Sequence, residues 1–440
     1  MSPANIVSIV EWNLCCGCGV CVGVCPKHCI SWKRKKGMYQ PIIDVNICIS
    51  CGLCVKVCPG LGHKYEDQQD FDAVEGKVLL SCNAWSRLSE IRFVSASGGV
   101  VSTLVQHLLK VKAYDVAFLV DSYDYHQQLT TRLITEQDLY DMVSSSYPKS
   151  RYLPISHENA VSYIKSNRNK RVVFIGTSCA VRGFLSTIEQ FHLDRENYLI
   201  IGLFCDRVFN YNVIDYYQQP VFCGNRKLRN LHFKNKESGG WPGNMKFFFS
   251  DGSTDYQDKI ERTKVKDYFM PERCLYCIDK LNVCADISLG DNYTKQNTST
   301  LGSNSVIIRT EIGMTAWKAT KMLLECSIVS TEQIMEAQYV DWRLNNFCYG
   351  KLKEKEILKK AGEMITLNAG IYTKRKVQDY QQRWKNSLQM INAGEIFREN
   401  PEELQRQMNK AVKKQNQGVI RMFLSRCYRF IRHRIMEAFW

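Results

Sequence analysis

Apolar positions along the chain follow two periods. After the small-residue loop "SASGG", Val100, Val101, Leu104, Val105, Leu108 and Leu109 recur at helical spacing, which predicts a helix with one buried face. "RVVFIG", residues 171–176, is instead a continuous β-branched and aromatic run that stops at Gly176, with a helix restarting near Cys179. "NYLIIGLFCD", residues 197–206, reads as another buried strand, ending at Cys205 and Asp206. Strands alternating with helices predict an α/β domain with at least some parallel strands. Upstream, "ISWKRKKGMYQPIID" reads as two short strands around a turn near Gly37. From about residue 312 the text turns helical and charged, as in "KLKEKEILKKAGEMI", and Asn400 is placed to cap a helix opening at Pro401, Glu402 and Glu403.

The predicted organisation is therefore an N-terminal domain over 1–65, a polar linker at "DQQDFDA" (67–73), a central mixed α/β domain in two parts (75–165 and 166–330), and a helical basic extension over 331–440. The fold class is α+β / α/β. A length of 440 residues suits two or three domains. No apolar run approaches the roughly 20 residues of a membrane span. The start "MSPANIVSIVEWNLCC" lacks a basic segment followed by an apolar one and a small-residue cleavage site, so the expected address is cytoplasmic. A net charge of +15 is compatible with nucleic acid, a membrane surface or an acidic protein, and does not choose among them.

Twenty cysteines change the picture. In a reducing compartment a disulfide framework is disfavoured, leaving metal or redox chemistry. Cys15-x2-Cys18-x2-Cys21-x3-Cys25-Pro26 is repeated 33 positions later as Cys48-x2-Cys51-x2-Cys54-x3-Cys58-Pro59. Zinc sites typically use CxxC pairs separated by a longer loop, whereas three thiols at successive threes plus a fourth before proline is the run for [4Fe–4S] clusters, whose fourth cysteine serves the other cluster. Two clusters are expected, one on Cys15, Cys18, Cys21 and Cys58, the other on Cys48, Cys51, Cys54 and Cys25. Gly19 and Gly52 follow the second ligand of each run, where a missing Cβ lets backbone approach the sulfurs. Cys16 and Cys29 read as spare small apolar residues. Residues 8–62 resemble a two-cluster bacterial-type ferredoxin domain.

Later landmarks are less specific alone. The loop before Val100 offers free amides and a helix dipole to a phosphate or a ring carbonyl, but taken alone it is read first as a plain capped helix. Cys274 and Cys277 form a CxxC, which serves zinc, redox disulfides and clusters alike. With Cys284 seven positions on and Cys179 and Cys205 in ligand-like turns, a third cluster and structural thiols stand as open alternatives.

Taken together, "SASGGVVSTL", "FIGTSCAVRGF", "LFCD" and "CLYCIDKLNVCADISLGD" resemble the family of beta subunits of coenzyme F420-reducing hydrogenases and dehydrogenases, from about residue 75 to 310. The resemblance implies FAD, cluster-ligating cysteines and electron passage between iron–sulfur centres and a two-electron acceptor. It also implies that Ser97, Gly98 and Gly99 line the flavin, with Gly176 and Thr177 in the matching G-T-x-C turn. There the family usually shows proline and this chain has Ser178. Ser150 and Tyr152 are a looser match. Cys274, Cys277, Cys179 and Cys284 are the implied ligands of a third cluster, Cys179 being preferred to Cys205 as the fourth.

The function expected is an iron–sulfur flavoprotein oxidoreductase that takes electrons from a ferredoxin-like donor and reduces an organic acceptor, coenzyme F420 being one candidate and a role in surface-polysaccharide biosynthesis another implication. The alternative is a non-catalytic electron-transfer subunit serving a partner enzyme. His232 and Lys234 in "LHFKN" are candidate proton donors on which nothing is staked. A zinc-bearing nucleic-acid binder is opposed by the intact fourfold runs, so no nucleic-acid partner is expected. In "GVIRMFLSRCYRFIRHRIMEAFW" an apolar stripe runs beside five arginines. Two readings stand: an interfacial helix on the inner membrane face, or one packing on protein.

Overall fold

A computed structural model describes residues 5–62, 72–121, 127–139, 151–296, 299–368 and 375–411. Ser150, most of the linker and the arginine-rich stretch from 418 onward lie outside the described residues. Strands β1 (Ile30–Lys35) and β2 (Met38–Ile43) form the expected antiparallel hairpin around Gly37. The remaining strands are β3 (Leu80–Ser86), β4 (Val116–Asp121), β5 (Leu129–Ile134), β6 (Ile155–Ser156), β7 (Val172–Thr177), β8 (Tyr198–Leu203), β9 (Leu228–Asn235), β10 (Asn244–Phe249), β11 (Thr254–Gln257), β12 (Ile287–Asp291), β13 (Asn304–Ile308) and β14 (Leu324–Ile328).

Among the described residues, nine strands build one mixed sheet in the order β14-β3-β13-β12-β8-β7-β4-β5-β6. Its centre, β12-β8-β7-β4, is parallel, as the β-branched runs predicted. Both halves of the central region feed this one sheet. A three-stranded sheet, β11-β10-β9, stands apart. It was not legible in the sequence because β9 is almost wholly buried, yet spells "LRNLHFKN", so its polar letters hide the period.

The helix Val100–Lys110 buries Val100, Leu104, Val105, Leu108 and Leu109 against the sheet. The helix Ser178–Gln190 follows β7 directly. In the C-terminal region, Asn345–Ala361 and Gln381–Glu395 are helical, and Asn400 Oδ1 accepts the Glu403 amide at 3.0 Å, the anticipated cap.

Two cores fix the cysteine-rich domain. Val20, Val24 and Val57 pack with Phe118 and Phe174 of the main sheet and with Val161, Val181 and Phe184 of the helices Glu158–Ser166 and Ser178–Gln190. Ile6, Ile9 and Leu14 pack with Leu275 and Tyr276 of the CxxC loop and with Ile357 and Ile391 of the C-terminal helices. The approach is close enough that a Cβ on Gly183 would stand 2.7 Å from Val20 Cγ2, and one on Gly19, at φ +76°, would collide with Ser156.

Candidate metal centres and the polar pocket beside them

Gly19 and Gly52 sit at φ +76° and +72° and open the short helices Val20–Val24 and Leu53–Lys56. The left-handed backbone there turns the chain sharply between the second and third thiol of each run, and a side chain at either glycine would be strained. Other glycine amides reach sulfur: Gly17 N donates to Cys15 Sγ and Gly60 N to Cys58 Sγ, each at 3.4 Å, and the amides of Lys27, His28 and Cys29 reach Cys25.

The thiols fall into two adjoining sets. Cys58 acts electrostatically on Cys18 and Cys21, and Cys15 on Cys58. Cys54 feels Cys51 and Cys48, while Cys25 Sγ lies 3.4 Å from Cys29, which in turn bonds Cys48. Cys29 therefore stands between two expected ligands. Burial pushes the Cys15 thiol up to about 11 and Cys58 up to about 12. Such thiols stay protonated until a bound metal displaces the proton.

A third set lies next to the first. Cys205, after β8, is pushed well up by burial and by Cys274, Cys179 and Cys277. Cys16 hydrogen-bonds both Cys179 and Cys18, so it touches two sets rather than filling space. Asn346 Nδ2 donates to the carbonyls of Cys274 (3.2 Å) and Cys277 (3.1 Å) and holds the CxxC loop. Cys284 is not in this group. It packs beside Ala73 and Val283 and feels Arg182, Asp279 and Arg309. The thiol facing Cys179, Cys274 and Cys277 is Cys205, because parallel β7 and β8 deliver the residues beyond their carboxyl ends to one edge. The "LFCD" strand end carried that signal. Among the described residues, no three His, Cys, Asp or Glu side chains close on one ion. A cubane binds each thiolate to a different iron and needs the wider spread.

Cations surround the third set. Buried Arg273 donates through Nε to Gly60 O (3.0 Å) and through Nη2 to Pro59 O (3.3 Å). Its charge reaches Cys58, Cys179 and Cys277, and its Nη1 is buried with no hydrogen-bond partner. Arg343 lies 3.6 Å from Asp206 and donates to Cys274 O at 3.3 Å. Burial would raise the Asp206 carboxyl, but Arg343, Arg207 and Lys280 outweigh it and hold it well below the usual range. Sequence reading missed both arginines.

The implied flavin residues separate. Gly176 O accepts from Asn282 Nδ2 at 3.0 Å and Thr177 Oγ1 lies 3.3 Å from Cys179 Sγ, so both belong with the thiols. Gly98 is required by packing, since a Cβ would stand 2.7 Å from Ala84 O; Gly99, at φ +82°, caps the following helix. Ser97 donates to Ser303 O at 2.6 Å and also reaches Asp291. Asp291 pairs with buried Lys234 and accepts from Trp241 Nε1 (3.3 Å) and Tyr293 OH (3.2 Å). Lys234 Nζ lies 5.7 Å from the Tyr152 ring centre. Burial would raise Asp291, but Lys234 and these donors bring it below its ordinary value. Ser97, Tyr152, Lys234 and Asp291 thus form one polar cluster beside the rings of Trp241 and Tyr293. His232 lies beside Phe248 on the second sheet.

No helix among the described residues is long and apolar enough to cross a membrane. Residues 14–60 match a family model described as a 4Fe-4S dicluster domain. Residues 82–157 and 169–334 match those described as the N-terminal and C-terminal parts of the coenzyme F420 hydrogenase/dehydrogenase beta subunit, together more than half of the chain. A curated relative, one of the subunits of the F(420)H(2) dehydrogenase of Methanosarcina mazei, is 22% identical over 315 residues, covering 71% of this chain and 83% of its own. A solved chain of the F420-reducing [NiFe] hydrogenase complex from Methanosarcina barkeri shares the fold at a TM-score of 0.50 and 17% identity, over 68% of this chain and 99% of that one. The chain belongs to the family of coenzyme F420 hydrogenase/dehydrogenase beta subunits, with a 4Fe-4S dicluster domain ahead of the family region.

Proposed function

We propose that the protein is an electron-transfer subunit of an oxidoreductase, with three thiol cages leading from the surface toward the Lys234–Asp291 pair. The observation carrying this reading is that Cys179, Cys205, Cys274 and Cys277 converge beside the Cys15/Cys18/Cys21/Cys58 set, with Arg273 between them. Cys15, Cys18, Cys21 and Cys58 would hold one [4Fe–4S] cluster, Cys25, Cys48, Cys51 and Cys54 a second, and the C-terminal four a third; clusters supply one-electron chemistry. The cages adjoin, as stepwise transfer needs.

Lys234, Asp291, Tyr152, Trp241 and Tyr293 offer a buried ammonium beside aromatic faces, which suits a planar electron-rich group. The flavin implied by the family would supply the change from one-electron to two-electron chemistry there. Lys234 would orient such a group and hold a proton at Nζ. Coenzyme F420, named by the relatives, is one acceptor of that class. Surface-polysaccharide biosynthesis is not included, because no side chain of this cluster speaks to it.

The test is iron content after single substitutions in anaerobically prepared protein. Cys205→Ala is expected to lose about four irons and Cys284→Ala none. The opposite pattern would restore Cys284 as the ligand and displace this arrangement.

A further inference from the structure

The outermost cage opens on an unusual surface. Val45, Ile47 and Ile49 in the loop before Cys51 are 76%, 47% and 56% exposed, and Ile42 beside them on β2 is 44% exposed. Cys51 is itself exposed. Single surface aliphatics need no explanation, but four within eight positions, next to an exposed thiol, mark an interaction site.

The rim is cationic. Lys27 lines the same depression as Ile49, Cys51 and Cys54. Lys56 is exposed at the end of the helix that Cys54 belongs to. Lys33 lies on the exposed face of β1, next but one to Ser31, which pairs with Ile42. Residues 5–62 hold six Lys or Arg against Glu11 and Asp44, and Asp44 Oδ1 is engaged by the Asn46 amide at 3.0 Å. An apolar centre with a charged rim is the anatomy of a transient docking surface, and the rim's sign selects a partner of opposite charge. The chain's own last 29 residues do not qualify, since they carry seven Lys or Arg against one Glu.

We propose that Ile42, Val45, Ile47 and Ile49, rimmed by Lys27, Lys33 and Lys56, dock an acidic one-electron carrier protein that exchanges its electron at the Cys51 edge. The proposal rests on the iron–sulfur reading above. One electron leaves the carrier, which is oxidised, and enters the cluster on Cys25, Cys48, Cys51 and Cys54, which is reduced; no bond or proton moves. Cys51 is the point of entry because its sulfur needs no intervening side chain to meet the carrier.

The test uses the full, iron-loaded chain and stopped-flow mixing with a reduced, acidic two-cluster bacterial ferredoxin as probe, with dithionite as a reductant too small to need docking. The second-order rate with ferredoxin is expected to fall at least about tenfold between ~0.02 and ~0.5 M salt. Lys27→Glu with Lys56→Glu is expected to reduce it about tenfold at low salt. Val45→Ser with Ile47→Ser slows it at every salt concentration. Dithionite rates and iron content stay unchanged in both variants. A ferredoxin rate indifferent to salt and to both variants, with iron intact, overturns the docking surface. Wild-type protein without iron overturns instead the reading beneath it.

Discussion

Replacing Arg273 by methionine removes a buried positive charge from between two proposed cages while keeping much of its volume. Two effects follow. The hydrogen bonds to Gly60 O and Pro59 O, at 3.0 and 3.3 Å, are charge-assisted; Pro59 O keeps the Gly62 amide at 3.2 Å, so losing them leaves the Gly60 carbonyl without its partner at a cost of about 2 kcal/mol. The second effect is electrostatic and acts on redox equilibrium. A unit charge acting over roughly 8 Å at an effective dielectric of about 20 contributes about 2 kcal/mol. Reduction adds negative charge to a cluster, so the guanidinium favours the reduced form and its loss lowers the potential. A tenfold shift in a one-electron equilibrium is about 59 mV, or about 1.4 kcal/mol, which sets the expected fall at roughly 60–90 mV for the clusters on Cys58 and Cys277. Anaerobic potentiometric titration followed by electron paramagnetic resonance reads this directly, with iron content as the control for assembly. Arg273→Lys keeps the charge without the fork and should recover most of the potential but less of the stability. An iron-replete methionine variant with unshifted potentials would refute the placement of Arg273 between redox centres.

Other expectations concern the frame. Asp286 is fully buried and accepts from Arg195 (2.7 Å), the Ile200 amide (2.8 Å) and Thr310 (2.6 Å); Asp286→Ala should cost about 3–5 kcal/mol, seen as a lower urea midpoint. Asp291 has its carboxyl held below the ordinary value, so its contribution is present above the usual carboxylate range and fades as pH falls through the depressed value. Asp291→Asn should remove that part of the acid limb and lower stability at neutral pH, as acid titration of unfolding would show. Gly183→Leu should pry the helix Ser178–Gln190 from Val20 and Pro59, slowing reduction of the Cys179 group relative to the two N-terminal cages in rapid-freeze spectra.

What was readable in the sequence was what local chemistry dictates. The doubled cysteine runs, the hairpin around Gly37, and buried β7 and β8 need only neighbours along the chain. The fourth thiol of the third group was different. Cys284 is near the CxxC in sequence but packs beside Ala73 and Val283, whereas Cys205, about 70 positions away, arrives by the parallel pairing of β7 and β8. Arg273 was equally hidden, because its partners Pro59 and Gly60 come from another domain. Lys234 stood in the sequence as a candidate proton donor without a partner; its pairing with Asp291 joins β9 of the second sheet to β12 of the first.

The most direct measurement is iron and acid-labile sulfide per chain in anaerobically purified protein. The account predicts about twelve of each, from three cubanes. About eight would leave the C-terminal thiols without a cluster, and zinc in place of iron would contradict the electron-transfer account as a whole.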